Sequence, residues 1–437
     1  MQISSRGSWS GAVGFTLASM GSAVGLGNVW RYPYITGQYG GAAFIVLYIC
    51  CVLAIGVPLL LAEFLIGRKT QRNPVGAFRT LRPGSQWVFT GWLGAVSSFV
   101  ILSYYAVVGG WVLHYLYLSL VNSFTGKSPE QIAALFGGMN ANPGPQIFWL
   151  MILMLLTVLI VSNGVSRGIE RGNKIMMPLL FALLVGLLFY ALQTDGATTG
   201  LEFLLRPQWQ KLGPTAVLEA LGQALFSLSV GMGTMITYGS YLSRQTNLVR
   251  CSFFVAIGDT LVAILAGFVV FPLVFSFGLE PSAGPGLIFR TLPIAFAQLP
   301  AGYWLALAFF VLLTFAALTS AISLLEVPCA YLVDEQRWSR NKASWTLGIV
   351  IFLLGIPSAV GGDFLGFMDG LATNYLLPIG ALLIALFTGW VLTHTEQREE
   401  FSSGETSALR FASWSFLIRF VSPVAIILIF LHQLGLF

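Results

Sequence analysis

Long apolar runs alternate with short polar breaks along the chain. Eleven runs stand out, near 10–36, 39–66, 87–121, 147–163, 175–192, 216–241, 251–279, 301–333, 343–357, 364–393 and 409–436. A helix needs about 20 apolar residues to cross a bilayer, so the runs predict eleven transmembrane helices. Several are longer, which predicts tilt, bending or extension beyond the bilayer. The stretch 283–299, broken by Pro285 and Pro293, predicts a folded external loop. Two runs carry the same interruption. "VGLG" at 24–27 lies in the first and "VGMG" at 230–233 in the sixth, each placing two glycines where a helix should continue.

Lys and Arg predict the orientation, because cytoplasmic loops carry an excess of them. Sixteen fall on one side: Arg6, the five from Arg68 to Arg82, Arg167, Arg171, Lys174, Arg244, Arg250, Arg337, Arg340, Lys342, Arg398 and Arg410. The other side holds four, Lys127, Arg206, Lys211 and Arg290. The N-terminus is therefore expected in the cytoplasm, and eleven spans place the C-terminus outside. Runs one to five and six to ten then form two halves of opposite topology, 9–192 and 215–394, with 409–436 as an additional helix. The two interruptions occupy the first run of each half. Glycine-broken segments at matching positions of inverted halves point to a transporter's binding site.

Composition fits an all-α polytopic membrane protein. Of 437 residues, 56% are hydrophobic and 9% charged, more apolar surface than a soluble fold of this length can hide. A net charge of +5 without a basic tract argues against a nucleic-acid partner. Cys50, Cys51, Cys251 and Cys329 lie in or beside apolar runs without metal-ligand spacing and read as small buried hydrophobes. The first run, interrupted by glycines and met by Arg31, does not read as a cleavable signal.

Unwinding a helix frees backbone N–H and C=O groups, which survive in a membrane only against protein, ions or water. The half-helix ending at a break presents carbonyls and a negative dipole end, suited to Na+. The half starting there presents N–H groups and a positive end, suited to a carboxylate. Close packing through small residues would use the same glycines, but their matching positions favour binding. Glu63, Asp259, Glu326 and Asp369 lie in or at the ends of runs, and acids there demand partners. Glu63, in "PLLLAEFLIGR", can accept N–H groups freed by a broken helix. Arg31 and Asp369 make an opposite-charge pair on the outer side. In "LTSAIS", 318–323, the adjacent hydroxyls of Thr319 and Ser320 offer hard oxygens to Na+, although a helical hydroxyl often only bonds its own i−4 carbonyl. Tyr105, in "SYYAVVGGW", is a phenol beside a glycine pair and by itself reads as packing.

The motifs "GSAVGLGNVWRYPY" (21–34), "GGAAFIVLY" (40–48) and "PLLLAEFLIGR" (58–68) resemble the signature of the neurotransmitter:sodium symporter family. "GQALFSLSVGMGTMITYGSYL" (222–242), "DTLVAILAGFVVFP" (259–272) and "ALTSAIS" (317–323) resemble its sixth, seventh and eighth helices. The resemblance covers nearly the whole chain. It implies the LeuT-type five-plus-five inverted-repeat fold, with helices one and six unwound at mid-membrane, an eleventh helix and no twelfth. That pattern is similar to bacterial members and implies a multi-pass protein of the bacterial inner (plasma) membrane. The implied activity is sodium-coupled amino-acid symport by alternating access, with no enzymatic chemistry and no catalytic residue.

Carried over by position, the resemblance implies two sodium sites. One would use carbonyls of Gly21, Val24 and Ala316 with the hydroxyls of Thr319 and Ser320. The other would use the Ala23 carbonyl, Asn28, Ser227, Asp259 and the substrate carboxylate. Amides of Leu26 and Gly27 in the Gly25 break, with the Tyr105 hydroxyl, would take the rest of that carboxylate. The substrate ammonium would meet carbonyls of Ala23, Phe226 and Ser227 and the Ser229 hydroxyl. Ile101, Phe226, Met232, Ser320 and Leu324 would line the side-chain pocket, with Ser22 beside it. Arg31 and Asp369 would form the outer gate, Tyr105 and Phe226 a thin lid, and Arg6, Trp9, Tyr241 and Asp334 the inner gate.

The departures refine this expectation. Ser22 takes a place where some members have Asn and where Asp marks monoamine substrates, which favours an amino acid that keeps its own carboxylate. Apolar walls favour hydrophobic or aromatic L-amino acids, and flexible Met232 suits large side chains. Asp259 stands where chloride-dependent members have Asn, and Ala263 one turn later lacks the hydroxyl those members offer chloride. A carboxylate beside buried Na+ supplies the compensating charge, so no chloride is expected. "GIERGNKIMMP", Gly168 to Pro178, resembles the family's Gly-x9-Pro element. Gly and Pro weaken a helix, so this segment can unwind and admit water to the Thr319/Ser320 ion. Two other classes stay open: an ion channel, whose filter also uses freed carbonyls, and an intramembrane enzyme using the buried acids. Against the enzyme, the acids are scattered over four helices with no nucleophile–base pair.

Overall fold

The computed structural model describes residues 7–278, 286–401 and 408–433. Among them there is no strand. Helices α1 (Ala12–Ala23) and α2 (Leu26–Gln38) form one span broken at residues 24–25 and bent by 63°. Then come α3 (Ala42–Thr70), α4 (Val88–Leu120), α5 (Pro143–Ser162) and α6 (Val165–Ala191). A second broken helix follows, α7 (Pro214–Ser227) and α8 (Thr234–Gly239). The remaining spans are α9 (Leu248–Phe275), α10 (Gly302–Asp334), α11 (Arg340–Val360), α12 (Asp363–Val391) and α13 (Ala408–His432).

Nine of the described helices are long and apolar enough to cross a membrane, ten when α1 and α2 count as one. The remaining run, 216–241, is α7 with α8. Its halves of 14 and 6 residues are each too short to cross alone. One expectation is corrected. The described part of 283–299 is not a loop but an apolar helical segment, Leu287–Gln298. Its Leu287, Ile288, Phe289, Leu292 and Phe296 are buried, and Phe289 stacks on Phe136. An apolar face with a partner outweighs the proline signal.

Helices α4 and α10 run side by side through the middle of the bundle, with α5 and α11 against them. Glycines let the backbones approach. A Cβ on Gly110 would lie 2.9 Å from the Leu150 backbone nitrogen, and one on Gly355 2.7 Å from the Ser103 carbonyl. Helix α1 lies against α6, α9 and α10, while α7 and α8 pack along α3. The two breaks thereby meet in the interior. The Gly168–Pro178 segment is helical here. A π-helical turn, Val165–Glu170, leads into Arg171–Ala191 with Pro178 inside.

Candidate functional site

The two breaks are stabilised differently. At the first, the Val24 amide still donates to the Met20 carbonyl (2.7 Å), but the Gly25 amide donates to Asn28 Oδ1 (3.0 Å). At the second, Ser229, Gly231 and Gly233 have φ of 53°, 85° and 76°, a region that glycine enters without a Cβ penalty. The freed amides of Gly231 and Ile236 donate to the Glu63 carboxylate at 2.6 and 3.3 Å. Hydroxyls of Ser98 and Thr234 donate to the carbonyls of Met232 and Ser229. Ser229 Oγ donates to the Ser22 carbonyl (2.8 Å) and so ties the breaks together.

Between the breaks lies a cavity of about 30 Å³. Every residue expected to bind substrate lines it: Ser22, Ala23, Gly25, Leu26, Gly27, Ile101, Tyr105, Phe226, Ser227, Ser229, Met232, Ser320 and Leu324. Asn28 and Ser323 complete the wall. One end is polar, where the start of α2 faces Tyr105, whose hydroxyl is buried without a hydrogen-bond partner. The wall is otherwise largely apolar, with Ile101, Phe226, Met232 and Leu324. Beyond it opens a vestibule of about 500 Å³. Tyr105, Phe226, Leu26 and Gly27 line both spaces and so form the partition.

Asp259 is fully buried. It accepts hydrogen bonds from Asn28 Nδ2 (2.7 Å) and from Ser227 Oγ (2.8 and 2.7 Å to its two oxygens), with Tyr48 Oη at 3.5 Å. These partners are all neutral. On the other flank of α1, a Cβ on Gly21 would lie 3.2 Å from Thr319 Cβ, and one on Gly25 3.1 Å from Ser320 Oγ. Gly21 is thus brought against Thr319, and Val24, Ala316 and Ser320 are buried with them. Thr319 Oγ1 donates to the Phe315 carbonyl (2.8 Å) and lies 3.2 Å from that of Ala316. Ser320 Oγ donates to the Ser22 carbonyl at 3.3 Å.

The gate residues are only partly joined. Arg31 and Asp369 are not in ion-pair contact here. The Arg31 guanidinium sits 3.2 Å from the Glu219 carboxylate on α7, while Asp369 accepts from the Thr373 hydroxyl at 3.5 Å. Arg31 and Asp369 both line the open vestibule, so the nearer carboxylate takes the arginine. The opposite face is closed. Trp9 Nε1 donates to the Tyr238 carbonyl (2.8 Å) and Tyr241 Oη to Glu326 (2.6 Å). Arg340 pairs with Glu326. Asp334 accepts from Asn73 through its amide (3.1 Å) and side chain (3.0 Å). Arg6 lies outside the described residues. Tyr48, Glu219 and Ser323 escape the sequence reading. Tyr48 closes the motif "GGAAFIVLY", and Glu219 is a further acid within the run 216–241.

Two facing helix breaks around a buried cavity, open toward a vestibule and sealed on the far face, define a secondary transporter. The chain belongs to the sodium:neurotransmitter symporter family, whose sequence model matches residues 6–132 and 130–437. It is 40% identical over 440 residues to an uncharacterized sodium-dependent transporter, YhdH, of Bacillus subtilis (strain 168), with 98% of each chain covered. An uncharacterized sodium-dependent transporter of Haemophilus influenzae is 36% identical over 451 residues, again with 98% of each covered. Among solved structures, MhsT in complex with L-phenylalanine is 44% identical and superposes with a TM-score of 0.91, covering 98% of this chain and 99% of that one. The chain therefore has the LeuT-type fold and is a multi-pass, sodium-dependent transporter, not an enzyme.

Proposed function

We propose that the chain imports apolar or aromatic L-amino acids together with Na+, by alternating access and without chloride. The observation that carries this is the cavity between the breaks, with an unpaired Tyr105 hydroxyl beside the break at Gly25 and apolar side chains in its wall. A carboxylate suits the polar end, since a helix start offers N–H donors. The ammonium suits the carbonyls of Ala23, Phe226 and Ser227 with Ser229. A charged substrate side chain would meet no partner among the walls, and burying it unpaired is prohibitive. The L-phenylalanine complex of MhsT supports the same class.

Two ions accompany the substrate in this reading. One sits at Ala23, Asn28, Ser227 and Asp259 and shares the substrate carboxylate, which couples ion to amino acid. The other sits at Gly21, Val24, Ala316, Thr319 and Ser320. Asp259 supplies the negative charge that chloride would otherwise bring, and its neutral partners support this assignment. The vestibule is the external side, closed when Arg31 reaches Asp369. The sealed face is cytoplasmic and is the inner gate to which Arg6, Trp9, Tyr241 and Asp334 are assigned, and unwinding of Gly168–Pro178 hydrates the second ion. Residues 9–192 and 215–394 are the inverted repeats, 409–436 is additional, and the location is the bacterial inner membrane with the N-terminus inside. Proteoliposomes with an inward sodium gradient provide the test. Leucine, phenylalanine and tryptophan should compete for sodium-driven uptake, and lysine and glutamate should not. Equal competition by the charged pair, or ion current without amino acid, overturns the reading.

A further inference from the structure

Asn173 lies on α6 inside the Gly168–Pro178 segment and is fully buried. Its Nδ2 donates to the Ile169 carbonyl one turn back (2.9 Å). That bond orients the amide, because only nitrogen can donate there. Its Oδ1 is then left buried with no hydrogen-bond partner. It points at α1: a Cβ on Gly21 would lie 2.1 Å from Asn173 Oδ1 and 3.2 Å from Thr319 Cβ. So Oδ1 occupies the space that any side chain at 21 would take. An unsatisfied carbonyl in a membrane interior is costly. Here it lies beside two residues of the second sodium site and on a third helix that contributes nothing else to it.

We propose that Asn173 Oδ1 is a further oxygen ligand of the second sodium site, contributed by α6 beside Gly21 and Thr319. The inference rests on the sodium site proposed above and adds to it the element that senses the ion. An amide oxygen is a hard neutral donor of the kind Na+ uses. The Nδ2 bond to Ile169 holds Oδ1 against Gly21 only while that turn of α6 stays helical. Unwinding of Gly168–Pro178 frees the carboxamide to turn toward water with its ion. Ion release and helix unwinding are thereby linked through one side chain.

The test uses the purified full chain and two readouts that need no transport: binding of labelled leucine against sodium concentration, and the sodium-induced rise in melting temperature, with choline as replacement. Asn173→Leu keeps the size and removes the oxygen. It should raise the half-maximal sodium concentration about tenfold, as loss of an outer ligand does, with leucine affinity at saturating sodium unchanged. Asn173→Asp keeps an oxygen and adds charge, and should shift the concentration the other way. Packing alone predicts that both variants melt lower and move sodium dependence together or not at all, and either result overturns the proposal. If Asn173→Leu does not fold, the direction of the Asn173→Asp shift decides. The double variant Thr319→Ala/Ser320→Ala separates the two levels. If it retains normal sodium dependence, the site itself is misplaced. If it loses sodium dependence while both Asn173 variants behave as wild type, the site stands and only the α6 ligand falls.

Discussion

The first break spans two residues, Val24 and Gly25, at φ of −70° and −124°. The second spans 228–233 and holds three residues at positive φ. The first is held by a side chain three residues ahead, Asn28, whose amide oxygen takes the Gly25 N–H. The second is held by Glu63, 168 residues away on α3, which takes the Gly231 N–H. Helix α8, six residues long, cannot persist alone, since isolated helices this short are unstable. Backbone contact with α3 replaces that lost stability: a Cβ on Gly67 would lie 2.0 Å from the Ile236 carbonyl. One break is a local device open to substrate, and the other is a tertiary device that must stay locked.

The largest effect should follow from breaking the lock. Glu63→Ala leaves two buried N–H groups unpaired, at about 1–3 kcal/mol each. We expect loss of monodisperse folded protein by fluorescence-detected size exclusion, and wild-type behaviour would refute the tertiary account of the second break. Next comes Gly231→Ala, which forces a side chain into φ 85° with its Cβ 2.5 Å from the Leu377 carbonyl. It should cost about 1–3 kcal/mol or more. Gly25→Ala needs no positive φ, and its Cβ would meet Ser320 Oγ at 3.1 Å and Tyr105 Oη at 3.6 Å. It should fold and melt within about 1 kcal/mol of wild type while weakening substrate binding about tenfold, because it narrows the cavity. Equal melting shifts for the two glycines would erase the distinction.

Asp259→Asn sharpens the functional side of the first break, because Asn28 bonds both Gly25 and Asp259. Wild-type uptake should be the same in sodium gluconate and sodium chloride, and the variant should lose at least about tenfold in sodium affinity, the range for losing a charged partner. Loss of wild-type uptake in gluconate would refute charge replacement by Asp259. The smallest effect belongs to the periphery, far from either break. Arg82 pairs with Glu396 (2.8 Å) and, with Thr393, holds its carboxyl down at about 2. A depressed carboxylate stabilises above its unfolded value of about 4.3. That stability is lost as pH falls through the folded value. Between pH 7 and 5 the contribution of this pair to melting should therefore stay constant. Solvent screening limits Arg82→Ala to about 1 kcal/mol or less, measured by melting at pH 7 against pH 3.

The amino-acid sequence by itself determined the spans and the location of both breaks, while the lining of the cavity was legible only through the resemblance of its motifs to a known family. Apolar runs of membrane length admit one solution in a bilayer. Glycines at matching positions mark where a helix stops, whereas Ile101, Tyr105, Ser320 and Leu324 reach the cavity from α4 and α10, away from either break. The Arg31 partner was a different kind of question. Any acid within reach of α2 satisfies the charge rule, and Glu219 on α7 is the one the packing brings nearest. Residues 287–298 read as loop because prolines are a local signal, while their helix is stabilised by buried tertiary contacts. Asn173 looks unremarkable in a helix until α1 packs against α6 and leaves its oxygen facing Gly21 with nothing to bond. Hydrophobic length and glycine placement are properties of one segment and can be read along the chain. The partner of a polar atom is a property of two or three segments at once, and only their packing decides it.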